Sequence, residues 1–203
     1  MRTVAQAYDQ LAPRFGEWSA SVVGDPWEQF VEQLESLLPK HASVLDLGCG
    51  SGSKTKRLTR WFEVIAVDVS TEQLRLAREE APDATFLQAD FAEVDFPDET
   101  FAAVVALYSF VHVPRAEHVR LFASVRRWLK PGGLFLASLG HVGGPDRVEA
   151  WLGVEMFFSG WDADTNRRLV RSAGFEVLAD DVLFMREPGH GDVGFLWMLA
   201  RRP

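Results

Sequence analysis

Between Asp46 and Gly52 the chain reads Asp-Leu-Gly-Cys-Gly-Ser-Gly. Glycines at alternate positions let a backbone turn sharply and come close to a ligand. The run follows an apolar stretch, Ser43 to Leu47, and precedes an amphipathic one, Lys54 to Trp61. Strand, glycine loop and helix in that order aim several amides at one spot and favour an anionic or polar group there. Asp68 closes the next apolar run, Glu63 to Val67. A carboxylate at the end of a second strand can accept both hydroxyls of a ribose. Cys49 lacks a base and an orienting group beside it, so it reads as a small loop residue rather than a nucleophile.

Two nucleotide chemistries compete for this loop. A dinucleotide fingerprint wants a third glycine three positions after Gly50, and that position is Ser53. Asp46 would repel a pyrophosphate but suits a cation. S-adenosylmethionine carries an ammonium and a sulfonium, so the carboxylate is electrostatically reasonable opposite it. A nicotinamide-dependent oxidoreductase is therefore the weaker reading. A module that binds S-adenosylmethionine without turning it over stays open, because an intact loop shows binding capacity only.

The stretch VLDLGCGSG resembles the first motif of the class I S-adenosylmethionine-dependent methyltransferases. The similarity is greatest to the small-molecule branch that includes ubiquinone/menaquinone-biosynthesis-like enzymes, and it covers roughly residues 4 to 139. Ile65 to Ser70 resembles the second-strand motif, which implies Asp68 as ribose ligand with Val69 beside it. Gln88-Ala89-Asp90-Phe91 resembles the third, which implies Asp90 on the adenine amino group and Phe91 against the ring. Val104 to Val113, including Leu107, resembles the fourth-strand motif, and Leu129 to Leu134 the turn into the fifth strand. Tyr8 resembles the N-terminal aromatic that covers the methionine end of the cofactor. By resemblance, Asp46, Gly48, Cys49 and Gly50 complete the cofactor loop. The implied fold is an α/β, Rossmann-like, doubly wound seven-stranded sheet, mostly parallel with an antiparallel last strand.

Transfer from a sulfonium is an in-line displacement of an already activated methyl. The protein must mainly hold donor and acceptor collinear and exclude water. The loop Leu107 to His112 lacks the Asn/Asp-Pro-Pro-Tyr sequence of enzymes that methylate amide or nucleobase nitrogens. His112 is the expected base, since histidine titrates near neutral pH. An aromatic-rich insertion, residues 141–161, is expected to wall an apolar acceptor pocket with Tyr108, Trp151, Met156 and Phe157, joined by the final turn holding Glu187, His190 and Asp192. His141 and His190 lack ligand spacing, so no metal is expected.

The elements that must position these groups follow from pattern. The chain has 203 residues, 47% of them hydrophobic and 25% charged, enough for one domain with a sizeable core. We expect residues 1–203 as a single domain, with 1–40 as a helical cap and 141–161 as the substrate-side insertion. The rhythm of apolar run, Gly or Asp, then amphipathic helix predicts a parallel sheet with helices on both faces. A short helix is expected over Val4 to Phe15, and another opens at Asp25-Pro26. Ser70 with Gln73 forms a capping box, and Phe101 to Leu107 reads as a strand buried on both faces. Within the insertion, a helix around Arg147 to Phe157 is expected. Phe175 to Phe184 and Val193 to Arg201 read as an antiparallel pair at the sheet edge. A net charge of −8 argues against nucleic acid as partner. One cysteine and no long apolar run imply a reducing, cytoplasmic setting without a membrane anchor. The expected partner is a small methyl acceptor.

Overall fold

The computed structural model describes residues 2–203. Its helices are α1 (Arg2–Ala20), α2 (Trp27–Leu37), α3 (Ser53–Thr59), α4 (Thr71–Glu80), α5 (His118–Trp128) and α6 (Ala163–Ser172). The strands are β1 (Ser43–Leu47), β2 (Glu63–Asp68), β3 (Thr85–Gln88), β4 (Phe101–Ala106), β5 (Leu129–Gly140), β6 (Gly144–Trp151), β7 (Val154–Gly160), β8 (Glu176–Glu187) and β9 (Gly191–Arg201). Seven strands form one sheet in the order β3-β2-β1-β4-β5-β9-β8. Strands β1 to β5 are mutually parallel, and β9 runs antiparallel between β5 and β8. The expected α/β sheet with an antiparallel last strand is therefore present.

Alternation along the central strands fills both faces. Phe135 on β5 packs with α5 and α6 side chains, while its neighbours Leu134 and Leu136 pack with Phe30, Val31 and Leu34 of α2. Side chains of successive strand residues point to opposite faces, which is why these strands read as unbroken apolar runs. Chain order reverses between β1 and β4. Their carboxyl ends thus diverge into a crevice, where open α/β sheets bind ligands.

Two expectations are corrected. The N-terminal helix does not stop at Phe15; it continues to Ala20 through Pro13, because Phe15 and Trp18 pack against Trp151. Residues 147–157 are not helical. They form the antiparallel pair β6–β7, closed by Leu152 and Gly153 at φ 50° and 79°. Two consecutive positive φ values make the tight turn that suits the twist of a hairpin. Among the described residues no helix is long and apolar enough to cross a membrane.

Candidate functional site

The glycine loop is built by steric necessity. Gly48 has φ 80°, and a Cβ there would lie 2.4 Å from Ser109 Cβ. Gly52 has φ 87°, and its Cβ would lie 2.8 Å from Ala77 Cα of α4. The loop can therefore sit tightly between β4 and α4 only as glycine. Asp68 organises both flanking turns. Its carboxylate accepts from Gly50 N–H at 2.8 Å and from Ser70 N–H at 2.9 Å. Burial holds its pKa above the usual carboxylate value, against those amides.

These groups line a cavity of about 380 Å³ at the carboxyl ends of β1 and β4. Of the residues expected there, Tyr8, Gly48, Cys49, Gly50, Asp68, Val69, Phe91, Leu107, Tyr108, His112 and Trp151 are in its wall. Asp46, Asp90, Met156 and Phe157 are not. Asp46 is 4% exposed and accepts from the Thr55 hydroxyl at 2.7 Å. Burial pushes its pKa up to about 6. Asp90 turns back on its own loop, accepting from Ala92 N–H at 3.0 Å. Met156 is wholly buried beneath α1 with Val4, Ala7 and Leu11. Strand alternation explains Phe157, which points away while Phe158 reaches the cavity; Met156 shares the face of Phe158 but is covered by α1. The Cys49 thiol is pushed up by burial and by Asp68 and Asp46, which disfavours the nucleophilic thiolate.

His112 is held on both sides. Nδ1 lies 2.9 Å from the Phe157 carbonyl and Nε2 lies 2.9 Å from the Tyr8 hydroxyl. A carbonyl only accepts, so Nδ1 carries the proton and the Tyr8 hydroxyl donates to Nε2. Burial lowers the imidazole pKa to about 4. The ring is thus neutral at physiological pH, with its lone pair engaged by Tyr8.

Tyr108 has φ 60°, a conformation that costs a non-glycine residue of order 1–3 kcal/mol and collects at functional sites. Its amide donates to Ser138 Oγ at 2.6 Å, and its hydroxyl donates to Asp25. Asp25 also accepts from Trp27 N–H at 3.2 Å and faces Lys54 Nζ at 3.7 Å. The Lys54 ammonium stands over the Trp27 and Tyr108 rings. Aromatic rings of Phe15, Trp18 and Trp151 close the opposite wall.

Several positioning residues escaped the sequence reading. Asp9 of α1 accepts from the Ser70 hydroxyl at 2.6 Å and from Glu72 N–H at 3.1 Å. Arg14 donates to the Leu152 carbonyl at 2.7 Å, in the β6–β7 turn. Lys54, at the start of α3, also lines the cavity. The one available signal was its place directly after the glycine loop. Among the described residues no group of three or more His, Cys, Asp or Glu is placed to hold a metal.

Comparison with known proteins agrees with this geometry. Residues 44–133 match the family model described as a methyltransferase domain. The chain is 32% identical over 168 residues to a Streptomyces venezuelae dTDP-3-amino-3,4,6-trideoxy-alpha-D-glucopyranose N,N-dimethyltransferase, covering 81% of this chain and 64% of that protein. It is 26% identical over 187 residues to an Aspergillus fumigatus sterol 24-C-methyltransferase, covering 79% of this chain and 48% of that one. The fold superposes with a TM-score of 0.67 on the Burkholderia thailandensis 1,6-didemethyltoxoflavin-N1-methyltransferase, whose structure holds 1,6-didemethyltoxoflavin and S-adenosylhomocysteine. Identity there is 21%, with 97% of this chain and 88% of that one covered. The chain thus spans less than two thirds of either curated relative. The likeness to a methyltransferase domain thus rests on residues 44–133 and on partial matches to these relatives. These relatives do not single out the quinone-biosynthesis branch.

Proposed function

We propose that the chain transfers the methyl group of S-adenosylmethionine to a small-molecule acceptor. The observation that carries this reading is convergence. The glycine cradle, the Asp68 carboxylate and the Tyr8–His112 pair face one cavity, and that cavity continues into an aromatic-walled space. The cradle fits the cofactor, since Gly48, Cys49 and Gly50 bring main chain to the cavity beside the Asp68 carboxylate. The buried Ser109 hydroxyl beside it has no partner among the described residues, and a buried polar group gains by finding one. Asp68, Val69 and Phe91 would hold the nucleoside, and Gly48, Cys49 and Gly50 the amino-acid end. Bound there, the cofactor supplies a methyl already activated by a positive sulfur.

The chain's own work is then placement and dehydration. Tyr8 lines the cavity, held by its contacts with His112 and Trp151. In this reading His112 positions Tyr8 rather than accepting a proton from the acceptor. A ring with pKa about 4 and an occupied lone pair is a poor base near neutrality. The acceptor is small, because α1 and the β6–β7 hairpin both contribute to the cavity wall. Acceptors named for the relatives, an amino sugar nucleotide and a toxoflavin precursor, support a small-molecule class.

Calorimetric titration with S-adenosylmethionine and S-adenosylhomocysteine tests the reading. Wild type should bind both, and Asp68→Ala should lose at least tenfold, about 1.4 kcal/mol. Asp68→Asn keeps the shape and should lose affinity as well. Wild-type protein that binds neither ligand sinks the proposal.

A further inference from the structure

The end of β8 carries a carboxylate where its pattern calls for an apolar side chain. Met185 and Glu187 share one face of the strand and both line the cavity. Phe184, between Leu183 and Met185, is 59% exposed, and Arg186 also points outward. Glu187 is only 8% exposed. Its carboxylate has neither an ion-pair nor a hydrogen-bond partner among the described residues. Buried charges are normally paired, so an unpaired one facing a cavity points to a partner that comes with the ligand.

The rest of the lining gives the sign and shape of that partner. The two cations in the wall, Lys54 and Arg147, are already matched with Asp25 at 3.7 Å and Glu149 at 3.0 Å. Neither is free to receive a phosphate or carboxylate. Asp68 is committed to the amides of Gly50 and Ser70, which leaves Glu187. The same cavity wall carries the aromatic rings of Trp18, Tyr108, Trp151 and Phe195. Ring faces attract cations, and a carboxylate attracts them more strongly.

Resting on the methyl-transfer reading above, we infer that the acceptor is an amine which enters as its ammonium form, with Glu187 as the counter-ion that selects it and then takes its proton. The neutral nitrogen uses the freed lone pair to form the new C–N bond while the S–CH3 bond breaks and its electron pair leaves on the sulfur of S-adenosylhomocysteine. Burial and the nearby Asp25 push the Glu187 pKa up, with His190 opposing. Pairing with an ammonium relieves that unfavourable charge. Tyr8, Asp25, Tyr108 and His190 are the other titratable groups that feel or shape its field. An anionic acceptor meets the unpaired Glu187 carboxylate and, among the described residues of the wall, no free Lys or Arg.

The test uses three probes of one shape on the full chain loaded with S-adenosylhomocysteine: 2-phenylethylamine, 2-phenylethanol and 3-phenylpropionate. Loading is measured first by calorimetry. Failure to load removes the methyl-transfer reading and this inference with it. Once loading is shown, the ammonium should bind at least tenfold tighter than the alcohol and the carboxylate. Glu187→Gln should abolish that preference while S-adenosylhomocysteine affinity stays within twofold. Absent or equal binding of the ammonium, preference for the carboxylate, or a preference that survives Glu187→Gln overturns the inference and leaves the cofactor reading standing.

Discussion

The tautomer of His112 is fixed by what surrounds it, and this makes the Tyr8 contact measurable. Nδ1 has a carbonyl as partner and Nε2 a hydroxyl, so one arrangement of protons satisfies both. Nitrogen-15 spectra of the imidazole should show protonated Nδ1 and bare Nε2 from neutral pH down to about 4. A midpoint near the ordinary histidine value of ~6.5 would contradict the buried, engaged ring. Tyr8→Phe keeps the aromatic wall but removes the donor to Nε2. It should lower stability by about 1 kcal/mol, the usual worth of a hydrogen bond in a folded protein, as read by thermal denaturation. An unchanged midpoint would show that the hydroxyl is not held there.

Helix α1 is the element that turns an open crevice into a cavity. Besides the Tyr8–His112 contact, Asp9 ties the helix to the start of α4 and Arg14 ties it to the β6–β7 turn. The Asp9 tie also places a carboxylate at a helix N-terminus, where negative charge is favoured. Asp9→Ala should therefore loosen α1 without disturbing the sheet. Hydrogen exchange of α1 amides should quicken several-fold while β1 and β4 amides stay protected, and S-adenosylhomocysteine affinity should fall. Uniform acceleration across α1 and β4 would mean that α1 is not a separable unit. Neither tie was legible in the sequence, because an Asp and an Arg among helical residues look like solvated positions until the tertiary fold supplies partners. The central strands and the glycine loop were legible for the opposite reason. Burial on both faces leaves unbroken apolar runs such as Phe101 to Ala106, and steric need leaves glycines at 48 and 52. The hairpin was misread because its turn uses Leu152 at φ 50°, a residue type that gives no turn signal. With β6 largely exposed, its apolar residues could not mark one face clearly.

At the scale of the whole molecule, buried groups of opposite type share one pH window. His112 has its pKa lowered to about 4, below the unfolded value of ~6.5. The unfolded chain then binds more protons between those values. His112 thus contributes stability that is whole above pH ~6.5 and is lost as pH falls toward 4. Asp46 is raised to about 6, above the ordinary carboxylate value of ~3.9, so the folded chain binds more protons between them. Its contribution is most favourable at low pH and declines as pH rises through that window. Each shift corresponds to ~3 kcal/mol, both groups are buried, and the slopes oppose. Asp68 and Glu187, also raised, act in the sense of Asp46, and His118, lowered, in the sense of His112. Stability of the wild type should therefore vary little between pH 4 and 6.5. The balance is exposed by removing either member and measuring the thermal midpoint of variant minus wild type. For His112→Gln that difference should grow more positive as pH falls from 6.5 to 4. For Asp46→Asn it should grow more positive as pH rises from 4 to 6. Two differences with the same sign of slope would show that one of these groups is not buried in the charge state its surroundings demand.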